Sequence, residues 1–161
     1  MSETQFLEQM RQNQGIMYKL VALYANDSEE KKDLYQEILL QAWKGWPAYR
    51  NEAKFSTWLY RICLNTILTL QRKKRPVHFK ESLESFEIIA PSVPNGSLQK
   101  EDAARLQLAI RKLTETDRAI ISLHLDGYEN AEVADMIGIS NNHVAVKLHR
   151  IKLQIANLLK P

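Results

Sequence analysis

Between Pro76 and Gln99 the chain carries Pro76, Pro91 and Pro94 and the run "PNGS" at 94–97, in a sequence that elsewhere repeats its apolar residues every three or four positions. Proline removes a backbone donor and clashes with the preceding turn, so no helix continues through such a stretch. Its charge is also net negative, Lys80 against Glu81, Glu84 and Glu87. A break of this length near the middle of 161 residues predicts two small cores rather than one. The expected architecture is all-α: a helical domain over 1–75, a flexible linker over 76–99, and a second helical domain over 100–161. Glycines 15, 45, 96, 127 and 138 mostly fall where helices should stop.

Several classes are set aside early. No apolar run reaches the eighteen or so residues that cross a bilayer. The opening "MSETQFLEQMRQNQG" lacks the basic start and apolar core of a secretory signal. A single cysteine, Cys63, forbids an internal disulfide and suits a reducing cytoplasm, where it reads as a core residue. The four histidines show no metal spacing such as His-Glu-x-x-His, and no phosphate-cradling glycine loop appears. The expectation is therefore a cytoplasmic protein that is not an enzyme, with no cofactor, no metal, no membrane insertion and no small-molecule substrate.

Charge points to a partner. From Ala53 to Lys80 there is no acid, but Lys54, Arg61, Arg72, Lys73, Lys74, Arg75 and Lys80 are cations. A second acid-free window, Met136 to Pro161, holds Lys147, Arg150, Lys152 and Lys160. Two local positive fields on a chain of net charge +3 suggest two places where a polyanion could touch it. Solvated helix faces that happen to lack acids are the plain alternative.

The second window has helix punctuation. Thr114 caps "LTETDRAIISLHLDG" with Asp117 three residues on, and Gly127 closes it. Asn130 is placed to cap "AEVADMIG", with Val133, Ala134 and Ile137 facing the core. Ser140 caps the next helix, whose core stripe is Val144, Leu148, Ile151, Ile155 and Leu158. A short helix, a turn on Gly138 and a longer helix outline a helix-turn-helix. In that motif the first turns of the second helix meet base edges: here Ser140, Asn141, Asn142, His143, Ala145, Val146, Lys147 and Arg150. An ordinary helical hairpin has the same outline.

In the first window Ser56 is placed as an N-cap, and Leu59, Ile62, Cys63, Ile67 and Leu70 form a core stripe. Trp58, Arg61 and Asn65 then share the flank, a grouping able to stack unpaired bases and bond their edges. The cations at 72–75 would hold phosphates; Trp58 packed in a core is the other reading. Upstream, "SEEKKDLYQEILLQAWKGWP" is a helix with Leu34, Ile38 and Ala42 inward and Glu30, Asp33 and Glu37 on one face, beside Gln36. Without a Glu-x-x-His partner those acids suit a basic protein surface or water better than a metal.

With these residues in hand, "DLYQEILLQAW" at 33–43, "AYRNEAKFSTWLYRICLNTILTLQRKKR" at 48–75 and "LTETDRAIISLHLDGYENAEVADMIGISNNHVAVKLHRIKLQI" at 113–155 resemble a bacterial sigma factor of the extracytoplasmic-function group. The resemblance implies that the first domain is region two, which docks on RNA polymerase and opens the −10 element. It implies that the second is region four, which reads the −35 element. Asp33, Gln36 and Glu37 then fall where the family contacts the clamp helices of core RNA polymerase. The stretch Asn51 to Thr57, with Lys54, Phe55 and Ser56, falls where a flipped base is held. Trp58, Arg61 and Asn65 fall on the helix that supports melting, followed by Arg72, Lys73, Lys74 and Arg75. Promoter DNA, core polymerase and an anti-sigma factor are the implied partners. The recognition helix departs from the pattern "VGTVKSRLHRA" common among relatives, with Ala145 and Val146 where they carry lysine and serine. One other function fits this reading, a two-domain helix-turn-helix regulator that never binds polymerase; an enzyme is the remote alternative, since no residue spacing supports one.

Overall fold

The computed structural model describes residues 2–74 and 97–160, with side chains over 2–73 and 100–160. Every regular element among them is helical: α1 (Glu3–Gln12), α2 (Gln14–Tyr24), α3 (Ser28–Gly45), a 3₁₀ turn (Trp46–Ala48), α4 (Phe55–Lys74), α5 (Ser97–Arg111), α6 (Glu115–Leu125), α7 (Asn130–Ile137) and α8 (Asn141–Leu159). The chain divides into two compact units, Met1–Phe86 and Glu87–Pro161. Most of the stretch expected to be a linker, with Gly96, lies outside the described residues.

In the first unit α1 starts with a reciprocal cap. The Gln5 N–H donates to Ser2 Oγ at 3.1 Å, and the Ser2 N–H donates back to Gln5 Oε1 at 2.9 Å. Only Asn13 separates α1 from α2, so Gly15 lies inside α2 and ends no helix. Helices α2, α3 and α4 pack on one another. Met17, Leu20 and Tyr24 meet Leu34, Ile38 and Ala42, and Leu59, Cys63 and Ile67, all buried as helical spacing requires. Two stripe members expected inside, Ile62 and Leu70, are half-buried, while Leu64 and Tyr60 on the adjoining flank are sealed. Tyr24 and Tyr60 widen the buried arc of α2 and α4 beyond a narrow stripe.

The second unit closes α5, α6 and α7 around α8. Thr114 Oγ1 accepts from the Asp117 N–H at 3.2 Å, and Ser140 Oγ accepts from the His143 N–H at 3.0 Å. Each such cap is worth about 1 kcal/mol. At the far end of α6, Gly127 takes φ +94° while the Tyr128 N–H reaches back to the Leu123 carbonyl. Gly138 ends α7 in the same way, with φ +90° and the Ile139 N–H on the Ala134 carbonyl at 3.1 Å.

Three sequence expectations are corrected. Helix α7 is capped from Glu129, not Asn130: the Glu129 N–H donates to Glu132 Oε1 at 2.9 Å. Helix α4 begins at Phe55, its first bond running from the Trp58 N–H to the Lys54 carbonyl, so Ser56 lies within the first turn and caps nothing. Leu158 is exposed, because the core stripe of α8 ends at Ile155.

Candidate nucleic-acid interface

Ahead of α4 the chain turns sharply. Tyr49 is buried and its hydroxyl donates to the Ala53 carbonyl at 2.7 Å, while Asn51 adopts φ +61°. Asparagine tolerates this left-handed conformation better than most residues. The result is a short loop whose Asn51, Glu52, Ala53 and Lys54 all face solvent.

Behind it lies an aromatic cluster that the sequence pattern did not reveal. Trp46 stacks on Tyr49 at 5.6 Å between ring centroids, and Phe55 meets Tyr49 edge-on at 5.8 Å. The Trp58 ring stands 5.1 Å from Tyr49 and 5.2 Å from Phe55. On the far side Phe6 of α1 contacts both Trp43 and Trp46, and the Trp46 indole N–H donates to the Ser2 carbonyl at 3.3 Å. Pairs of this geometry add about 0.5–1.5 kcal/mol each beyond burial. The members come from α1, α3, the 3₁₀ turn and α4; closely spaced Trp43, Trp46 and Tyr49 were the only available signal.

Trp58 is therefore half-buried, one part of its indole held by the cluster and the rest open. Gly45, at the end of α3, lies beneath it: a β-carbon there would sit 3.4 Å from Trp58 Cζ2. Arg61 and Asn65 are exposed on the same flank of α4, followed by exposed Arg72 and Lys73. Ser56 and Thr57 are half-buried and Phe55 is buried as a wall of the cluster. The side chain of Lys74 and all of Arg75 lie outside the described residues. Below this flank the Cys63 thiol is pushed up to about 12 by burial, so it stays protonated and unreactive at neutral pH.

On α8, Asn141, Asn142, His143, Ala145, Val146 and Arg150 are exposed, as is the cap Ser140. Asn142, Val146, His149 and Leu153 form the row turned farthest from the core stripe. Lys147 differs from the rest. It is half-buried, with its Nζ 3.1 Å from Asp117 Oδ1 on α6.

On α3, Glu30 turns back to accept the Asn26 N–H at 2.9 Å, which removes it from the expected acidic face. Asp33 and Gln36 remain exposed, and Glu37 is half-buried with the Gln41 amide on its Oε2. The polar strip continues into an apolar one that the sequence reading missed: Leu39, Leu40 and Trp43 are exposed. Among the described residues no three His, Cys, Asp or Glu side chains are grouped to hold a metal, and no helix is long and apolar enough to cross a membrane.

Comparison with known proteins bears on both units. Residues 10–77 match the family model for Sigma-70 region 2, and residues 103–155 match that for Sigma-70, region 4. The chain is 28% identical over 155 residues to the ECF RNA polymerase sigma factor SigM of Mycobacterium tuberculosis, covering 96% of this chain and 76% of that protein. It is 27% identical over 145 residues to the ECF RNA polymerase sigma factor SigW of Bacillus subtilis, covering 83% of this chain and 78% of that one. In fold it is similar to the sigma factor RpoE bound to the anti-sigma factor NepR from Bartonella quintana, with a TM-score of 0.77, 20% identity and 96% of each chain covered. CnrH in complex with the cytosolic domain of CnrY gives a TM-score of 0.68 at 19% identity, covering 98% of this chain and 89% of that one.

Proposed function

The chain belongs to the bacterial extracytoplasmic-function sigma factors, and on that premise we propose that it directs core RNA polymerase to specific promoters and starts their melting. One observation carries the proposal: each of the two family regions is a separate helical unit with its own acid-free helix face in solvent. In this reading α8 lies in the major groove of the −35 element, offering Asn142, His143, Ala145 and Val146 to base edges and Arg150 to phosphate or guanine. The loop at 51–54 and the open part of Trp58 receive a base displaced from the −10 element, with Arg61 and Asn65 beside it. Extruding that base costs a few kcal/mol, which stacking at about 1–3 kcal/mol per base can offset. Arg72 and Lys73, continued by Lys74 and Arg75, follow the phosphate backbone.

The face of α3 that joins Asp33, Gln36 and Glu37 to Leu40 and Trp43 is the docking surface for polymerase, a polar rim beside an exposed apolar patch. An anti-sigma factor is a further partner in this reading, as in the complex of RpoE with NepR to which the fold is similar.

The decisive experiment is capture of core polymerase. The wild-type chain binds it, and joint charge reversal at Asp33 and Glu37 weakens the complex at least tenfold while the helical circular dichroism stays intact. A chain that binds promoter duplex but retains no polymerase would instead be a helix-turn-helix regulator.

A further inference from the structure

Lys147 and Asp117 lie thirty residues apart in sequence and meet across the α6–α8 contact, at 3.1 Å with side chains only 30% and 17% exposed. Asp117 sits in the first turn of α6, where a negative charge complements the helix dipole. Separating so poorly hydrated a pair strands a carboxylate largely out of water, which is far costlier than parting two surface charges. The other cation on the first turns of α8, Arg150, is exposed.

We propose that Asp117 withholds Lys147 from DNA: the pair is a strut that seats α8 on α6, and Asp117 is a positioning residue for the recognition helix. The inference rests on the reading of α8 as the DNA-facing helix. Its consequence is a recognition surface of amide, imidazole and aliphatic groups, with Arg150 as the cation among its first turns. Sequence preference then comes mainly from amide bonds and thymine-methyl contacts, in place of the phosphate grip a second free ammonium would add.

The test is the salt dependence of binding by the full chain, read by anisotropy of labelled mixed-sequence duplex DNA. Asp117→Asn frees the ammonium and steepens the slope of log K against log salt by about 0.9, the increment for one further phosphate neutralised. Lys147→Met lowers the melting temperature yet keeps the wild-type slope, and Lys147→Arg restores the melting temperature. The double substitution returns to the wild-type slope. Flattening of the slope by Lys147→Met overturns the inference, since Lys147 would then touch phosphate in the wild type. So does Asp117→Asn with no steepening. Arg150→Ala separates the two levels: a flattened slope there with the wrong result at Lys147 or Asp117 sinks the strut alone. No change in any variant sinks the DNA-facing reading of α8 and the strut with it.

Discussion

The Tyr49 hydroxyl and the Ala53 carbonyl stand 2.7 Å apart, closing the loop ahead of α4 across four residues. That bond holds the left-handed Asn51 and the solvent-facing Glu52 in one shape while the Tyr49 ring remains in the aromatic cluster. Under the proposed function, pre-shaping the loop in this way would lower the ordering cost of binding a base there.

Tyr49→Phe keeps the ring and removes the bond, so the expected loss of stability is about 1 kcal/mol. Promoter opening, followed by permanganate reactivity of unpaired thymines, should fall severalfold, with polymerase capture unchanged. Equal loss in both assays would mean that the loop supports the whole unit and not the base alone.

Trp58 and Asn65 should separate in their effects. Asn65 is exposed, so Asn65→Ala should leave the melting temperature alone and slow opening of duplex promoter about fivefold, the scale of one lost hydrogen bond. Trp58→Ala removes a half-buried ring in contact with Trp46, Tyr49 and Phe55, and should cost about 1–3 kcal/mol of stability as well. Both should bind a pre-melted template better than duplex. For Asn65→Ala, equal impairment on the two templates would remove this residue from melting.

Gly138 occupies φ +90°, a conformation that a β-carbon opposes. Gly138→Ala should cost about 1–2 kcal/mol, or a drop of several degrees in the melting of the C-terminal unit, at about 4–8 °C per kcal/mol for a domain of this size. Differential scanning calorimetry of the full chain measures it. Ala substituted at Gly45, which has an ordinary helical backbone and no contact nearer than 3.4 Å, should be tolerated.

Two groups set an alkaline limit. Burial pushes the Cys63 thiol up from 9.0 to about 12. Burial first, then a hydrogen bond to Tyr18, pushes the Tyr35 hydroxyl up from 10.0 to about 12. Both are raised in the folded state, so the folded chain holds protons that the unfolded chain has released. The stability they contribute is complete below about pH 9 and is lost as pH rises toward 12. Thermal melts from neutral pH upward should fall steadily in that window, and Cys63→Ser should make the fall shallower. A bulky thiol reagent at pH 8 should label Cys63 only after denaturant is added.

The parts of this molecule that were legible in its sequence are those decided within a few residues. Thr114 and Ser140 cap because their hydroxyls reach an N–H three positions on, and Gly127 and Gly138 stop helices because left-handed backbone suits glycine. Helix starts were misjudged where a cap is made without the favoured residue. Glu132 reaches back to Glu129, and α4 begins simply where Phe55 finds its aromatic neighbours. The acid-free windows and the Arg61–Asn65 flank needed only helical spacing. The contacts that shape both candidate surfaces needed the fold. Phe6 and Trp46 are forty positions apart, Asp117 and Lys147 thirty, and no local pattern announces either meeting.

The missing side chain at position 45 fixes how deep the Trp58 indole can sink against the end of α3. Because a β-carbon would only just touch that ring, anything branched beyond it would lift the indole outward like a shim under a hinge. In the proposed reading, the height at which an unpaired base would meet tryptophan is thus set partly from below, by a residue beneath the ring. On the proposed function, a larger residue at position 45 would change promoter preference while every residue facing the strand stayed the same.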